Sequence, residues 1–291
     1  MAKTGGAVPL DLIENECAIP SYNGACLTKA DVASKYIKDY LEQSGYKKTS
    51  TMSTPEMVDT MKDLLSVKSE SEIWESRRVR DFIGHDVADK ILRKKYKPPG
   101  PANSTALLDN INIDSNLEQW SENSQQLFKK KFFHVHYQMI DFMKTHSELS
   151  VLDLGKLISL GYNCFGVVLN TDISSGRGKH WFCLYGDFTR AGTKNDPYTL
   201  EYFNSSGNPP LDAVTIWMEE ACHNLLKQNK KYCDIIRSAP RRLQQSQTEC
   251  GMWSLLYIRS RLEGHPPEWF YSVGANDLDM IEYRKLLFRS S

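Results

Sequence analysis

An α+β fold is predicted for this chain by three observations. Amphipathic helical stretches fill its first third, strand-like runs begin near residue 132, and helices flank those strands without regular βα alternation. Its 291 residues fit one large domain or a core domain plus a smaller one. Hydrophobic residues make up 41% and charged residues 25%, ordinary for a globular protein with a sizeable core.

The first helix is signalled by Thr28 and Asp31, which resemble a capping box. Val32, Tyr36, Ile37, Tyr40 and Leu41 then share one face, and Gly45 is the expected stop. Ser53-Thr54-Pro55 opens a second helix, with Pro in the first turn and Val58, Met61, Leu64 and Leu65 on one side. Two more amphipathic stretches fall at about 73–82 and 87–92. No catalytic constellation appears in this region, which reads as a helical accessory domain, an N-terminal arm spanning 1–96. Lys97-Pro98-Pro99-Gly100-Pro101 cannot continue a helix and marks the boundary to a core domain spanning 97–291.

Beyond it, residues 114–121 predict a short helix. Strands are predicted where aromatic and β-branched residues cluster, at 132–140, 164–169, 180–188, 198–204 and 232–236. A loop with Gly192, Asn195, Asp196 and Pro197 lets 180–188 and 198–204 pair as a hairpin. Pro210 begins a helix running through Trp217 and Leu225, and 250–262 and 277–288 read as the last two helices.

The formal net charge is zero, so nothing global points to nucleic acid as a partner. Arg93-Lys94-Lys95-Tyr96-Lys97, Lys129-Lys130-Lys131 and Lys230-Lys231 read as solvated faces and helix ends. Seven cysteines at irregular spacing, with no CxxC pair, argue against a zinc ribbon or a disulfide framework, and free thiols fit a reducing compartment. Met1-Ala2-Lys3-Thr4-Gly5-Gly6 lacks the apolar core of a signal peptide, and no apolar run approaches the ~20 residues of a membrane span. A soluble intracellular protein is expected.

Three residues carry the chemical reading. Isolated histidines are most often surface or satisfied core residues, and His85, His134, His136, His146, His223 and His265 are assigned there. His180 differs: it follows the flexible Ser174-Ser175-Gly176-Arg177-Gly178 and opens a strand, a good place for a positioned base. Asn204 lies in Asn-Ser-Ser-Gly, ordinary turn chemistry, and can also orient His180 if the two strands pair. Cys250 stands at the start of a helix, whose free N–H groups favour a thiolate and offer half of an oxyanion hole. Gln244 and Gln247, six and three positions before it, can each supply the other half. A papain-like order of Cys, His, Asn does not fit. His265 and Asn276 follow Cys250 too closely, and Cys164, His180 and Asn204 are too compressed.

The order His180, Asn204, Gln, Cys250 resembles the adenain and SUMO-specific cysteine protease clan. Within it, the chain is most similar to the polyprotein-processing proteases of the African swine fever virus type. The segments that carry this resemblance are Lys97-Pro98-Pro99-Gly100-Pro101, Asn112-Ile113-Asp114, Val168-Leu169-Asn170-Thr171-Asp172, Gly178-Lys179-His180-Trp181, Glu201-Tyr202-Phe203-Asn204-Ser205, Ser246-Gln247-Thr248-Glu249-Cys250-Gly251 and Tyr257-Ile258-Arg259. The resemblance implies a central mixed sheet flanked by helices, with a helical arm before it. It implies Cys250 as nucleophile, His180 as general base and Asn204, where most of the clan has Asp, as orienting residue. The wider clan points to Gln244 for the oxyanion and the tighter viral likeness to Gln247.

Trp181 resembles a clan tryptophan that narrows the substrate channel around glycines. The implied activity is cleavage of viral structural polyproteins after Gly-Gly in Gly-Gly-Xaa sites, in host cytoplasm and virion, with no metal or cofactor. A SUMO or ubiquitin isopeptidase is the alternative. The chain has one such site itself, Gly5-Gly6-Ala7, where self-cleavage would be tested by N-terminal mass.

Overall fold

A computed structural model describes residues 16–18, 26–237 and 241–290 of the chain, so Gly5-Gly6-Ala7 lies outside the described residues. The chain forms two compact units. One comprises the described residues up to Ala102 together with 285–290, and the other runs from Asn103 to Arg284.

In the first unit, helices α1 (Val32–Gln43), α2 (Thr54–Leu65), α3 (Glu70–Glu75), α4 (Arg77–Ile83) and α5 (His85–Lys95) bury one apolar cluster. Ile37, Leu41, Met61, Ile73, Trp74 and Val79 form its centre. Asp31 is the residue before α1, and its carboxylate accepts the Thr28 N–H at 2.7 Å. Val32 turns outward, 66% exposed, so the buried stripe begins one residue later than expected, with Ala33. Ser53 and Glu56 form a reciprocal capping box on α2. The predicted 73–82 helix is two helices, because Ser76 adopts ψ 126° between them. The proline run contributes β1 (Pro99–Gly100), which pairs in parallel with residues 289–290.

The second unit opens with α6 (Asn110–Phe128), capped by Asp109, a 19-residue helix where the sequence predicts eight. Its buried face includes Asn116, Gln119 and Ser124, polar residues that hide the helical period. The 132–140 run is two short strands, β2 (Phe132–His134) and β3 (Gln138–Met139). After α7 (Leu154–Ser159), which the sequence reading missed, come β4 (Cys164–Asn170), β5 (Trp181–Asp187), β6 (Tyr198–Phe203), α8 (Asp212–Asn229), β7 (Cys233–Arg237), α9 (Cys250–Leu262), α10 (Trp269–Ser272) and α11 (Asp277–Leu287); residues 289–290, the partner of β1 in the first unit, are β8 (Arg289–Ser290).

The sheet is mixed, in the order β2-β4-β5-β6-β7, with β3 also on β4. β4, β5 and β6 are antiparallel, while β2 and β3 run parallel to β4 and β7 parallel to β6. The 180–188 and 198–204 runs do pair as a hairpin, with Cys183 opposite Phe203.

Alternation along the strands splits their side chains between two layers. Phe182, Leu184, Leu200 and Tyr202 join Val214, Trp217, Met218 and Leu225 of α8 in one core. Glu201 and Phe203 turn to α9, where Phe203 stacks on Tyr257 at 4.3 Å and Glu201 pairs with Arg261 at 2.7 Å. Near-continuous burial of β4 to β6 is what helices on both faces require.

The cysteine expectation is corrected. Cys17 pairs with Cys26 and Cys222 with Cys233, leaving Cys164, Cys183 and Cys250 free. An odd count excludes only complete pairing, and the second pair arises because α8 packs beside β7. No helix among the described residues is long and apolar enough to cross a membrane.

Candidate active site

His180 stands immediately before β5. Its carbonyl accepts the Thr171 N–H at 2.9 Å, extending the β4–β5 pairing by one step. The intervening loop is tied down from within. The Asn170 side-chain oxygen accepts the N–H groups of Asp172 and Lys179, both at 2.9 Å. The Asp172 carboxylate takes the Gly178 N–H and the Lys179 ammonium. Gly178 has φ +87°, and a Cβ there would stand 3.1 Å from the Asn170 amide, so glycine alone fits the turn that delivers His180.

Asn204 follows β6 directly and is buried. Its Oδ1 lies 2.7 Å from His180 Nε2 and also accepts the Ser206 N–H at 3.0 Å and hydroxyl at 2.7 Å. Its Nδ2 donates to the Tyr202 hydroxyl at 2.9 Å, which donates onward to the carbonyls of Asn208 and Pro209. Since the Ser206 N–H can only donate, the atom it meets is Oδ1, which therefore also faces the imidazole. The neutral imidazole so placed carries its proton on Nε2 and has its lone pair on Nδ1. Asn204 is therefore both the turn residue and the partner of His180. The two readings of Asn-Ser-Ser-Gly are compatible.

Cys250 is the first residue of α9 and is 2% exposed. Backbone N–H groups of Trp181, Gly251 and Cys250 itself are directed at its sulfur. The Trp181 contact sets the thiol against the His180–Trp181 peptide, next along the chain to the imidazole that Asn204 holds. Burial pushes the thiol above its ordinary range and the Glu249 carboxylate adds to this, while the three N–H groups pull the other way. The helix end acts in the expected direction, but desolvation outweighs it. The net direction is towards the neutral thiol.

Trp181 is buried, and its indole N–H donates to the Leu108 carbonyl at 2.9 Å. Leu108 also packs under Gly251, where an added Cβ would come within 3.0 Å of it. The two glutamines separate clearly. Gln244 is buried, its Oε1 accepting from Ser205 Oγ at 2.7 Å and its Nε2 donating to the Ser246 carbonyl at 2.9 Å. Gln247 is exposed, and its side-chain amide has no hydrogen-bond partner among the described residues.

Sequence reasoning missed the residues that hold this loop. Asp277 accepts the N–H groups of Gln245 and Ser246 and the Trp253 indole N–H. Arg284, wholly buried, donates to both oxygens of Glu249, the residue before Cys250. Neither carries a local sequence signal, since each acts across about thirty residues of chain.

No protein-family model matches the chain. It is 36% identical over 243 residues to the SUMO-1 cysteine protease of a South African tick isolate of African swine fever virus, spanning 78% of this chain and 85% of that protein. The cysteine protease of the Badajoz strain of the same virus matches to the same extent, 36% over 243 residues. A crystal structure of the African swine fever virus protease superposes with a TM-score of 0.70 at 31% identity, covering 95% of this chain and 96% of that one.

Proposed function

The chain belongs to the family of the African swine fever virus cysteine protease, and from that premise we propose that it is a viral endopeptidase cleaving structural polyproteins after the second glycine of Gly-Gly-Xaa sites. Its thiol-protease activity follows from the family. The substrate, the site roles and the setting, virion maturation at assembly sites in host cytoplasm and in the virion, are the proposal. The observation that carries it is the placement of Cys250 against the His180–Trp181 peptide, with His180 held by Asn204 at 2.7 Å.

His180 Nδ1 takes the thiol proton, and the Cys250 sulfur adds to the scissile carbonyl carbon. The oxyanion that forms is received by the Cys250 N–H at the helix end and by the Gln247 amide. Gln247 is favoured over Gln244 because its amide is uncommitted, whereas Gln244 clips the loop to Ser205. His180 then gives its proton to the leaving amine. Water, with His180 again as base, hydrolyses the thioester and restores the thiol. Asn204 keeps the imidazole in the tautomer this sequence needs. Trp181, anchored at Leu108, makes a rigid wall that favours residues without side chains next to the scissile bond.

The name of the tick-isolate relative favours a second reading, an isopeptidase acting on SUMO conjugates. Incubation of wild type and Cys250→Ala with a Gly-Gly-Xaa peptide library and with SUMO and ubiquitin conjugates separates them. Cysteine-dependent cleavage of the peptides after the second glycine is expected. Conjugate cleavage without peptide cleavage selects the isopeptidase, and equal cleavage by wild type and Cys250→Ala overturns the assignment.

A further inference from the structure

Asp114, His134 and His136 form a second cluster of ionisable side chains, which takes no part in the reaction above. His134 ends β2 and His136 lies two residues on, so both rings fall on the same side of an extended segment. Buried Val135 stands between them, its N–H on the Gly166 carbonyl at 3.1 Å. Asp114 projects from the second turn of α6. Its Oδ1 is 3.4 Å from His134 Nε2 and its Oδ2 is 3.2 Å from His136 Nδ1. The two imidazoles meet edge-on at 4.7 Å. One donor atom from each of the three residues lies within 4.8 Å of the others.

Two imidazole nitrogens and a carboxylate oxygen make a donor set suited to zinc and neighbouring divalent metals. Ligand bonds of ~2.0–2.1 Å in a tetrahedron set ligand atoms about 3.3 Å apart. Asp114 presents one oxygen to each ring, Oδ1 at 3.4 Å from His134 and Oδ2 at 3.2 Å from His136, and the one-per-residue donor atoms, within 4.8 Å of one another, need draw together only modestly to reach it. The supporting shell is present as well. Asp114 Oδ1 accepts the Tyr137 N–H at 2.8 Å, and Glu148 accepts the His136 N–H at 3.0 Å. The His134 side chain is 7% exposed, whereas that of His136 is 65% exposed, which leaves one open side for entry and for a water ligand.

We propose that Asp114, His134 and His136 bind a divalent first-row transition cation, zinc by preference, with water completing its coordination. Tyr137 follows His136 directly and its ring packs edge-on against Trp181 at 6.3 Å. The cation therefore steadies the segment that packs against Trp181.

The test is calorimetric titration of Zn²⁺ into the full chain carrying Cys250→Ala, which removes the catalytic thiol as a rival ligand. One zinc per chain is expected, with a rise in Tm. His136→Ala, an exposed change, weakens binding at least ~10-fold and abolishes the rise in Tm, with circular dichroism unchanged. His134→Gln does the same. Absence of stoichiometric binding, or equal affinity in His136→Ala, overturns the proposal. So does zinc binding seen in wild type and lost in Cys250→Ala, which places the ion on the catalytic thiol.

Discussion

Asn204 concentrates the chemistry of the site in one amide. Its oxygen receives His180 and two donors from Ser206, a density of hydrogen bonds usually found around a carboxylate. A neutral group so surrounded still fixes the imidazole tautomer, so Asn204→Ala is expected to lower kcat by about 10²-fold or more, with little change in KM. Steady-state kinetics on a Gly-Gly-Xaa peptide checks this. The glutamines separate in the same assay. Gln247→Ala lowers kcat by ~10²–10³ and leaves Tm unchanged. Gln244→Ala lowers Tm, because it unlocks the loop from Ser205. Cys250 sets the pH behaviour of the free enzyme. Burial favours the neutral thiol, so alkylation by iodoacetamide should rise with pH through a midpoint above the ordinary cysteine value of ~8.5. A rate already at its plateau in neutral solution would mean a preformed thiolate and would contradict this.

The site depends at the level of elements on how α9 is seated. The helix is buried along its whole length and has no polar face to orient it. Charged pairs do this instead. Glu201 and Asp187 hold Arg261 near one end, and Arg284 holds Glu249 at the other. Arg284→Met leaves the Glu249 carboxylate buried and unpaired beside Cys250, at a cost of ~3–5 kcal/mol in denaturant unfolding. The double change with Glu249→Gln should recover part of that loss. α9 was legible in the sequence because Trp253, Leu256, Tyr257 and Ile258 supply apolar contacts in a run free of proline between Cys250 and Leu262. α6 was legible only in part, since Asn116, Gln119 and Ser124 are buried among apolar neighbours and blur its period.

Across the whole molecule, each unit has its own core and its own titrating interior. In the helical unit, burial pushes the Glu70 carboxyl up to about 7, the Tyr96 hydroxyl partly offsets this, and Glu16 adds to it. A folded value above the unfolded 4.5 means that protonation favours the fold. This contribution is complete below pH 4.5 and is lost as pH rises through about 7. Unfolding of the full chain at mildly acidic and mildly alkaline pH should show the decline, and Glu70→Gln should flatten it.

By itself the sequence determined the class of fold, the pairing of 180–188 with 198–204, and the chain order that singles out His180, Asn204 and Cys250. These follow from period, turn chemistry and spacing, which act over a few residues or are counted directly along the chain. Only the tertiary structure decided that Gln244 is occupied while the Gln247 amide has no partner among the described residues, that Asn204 serves turn and imidazole together, and that burial shifts the Cys250 thiol upward. Those outcomes depend on Ser205, Ser206, Asp277 and Arg284 and on exclusion of water, and desolvation and hydrogen-bond occupancy are set by neighbours in space.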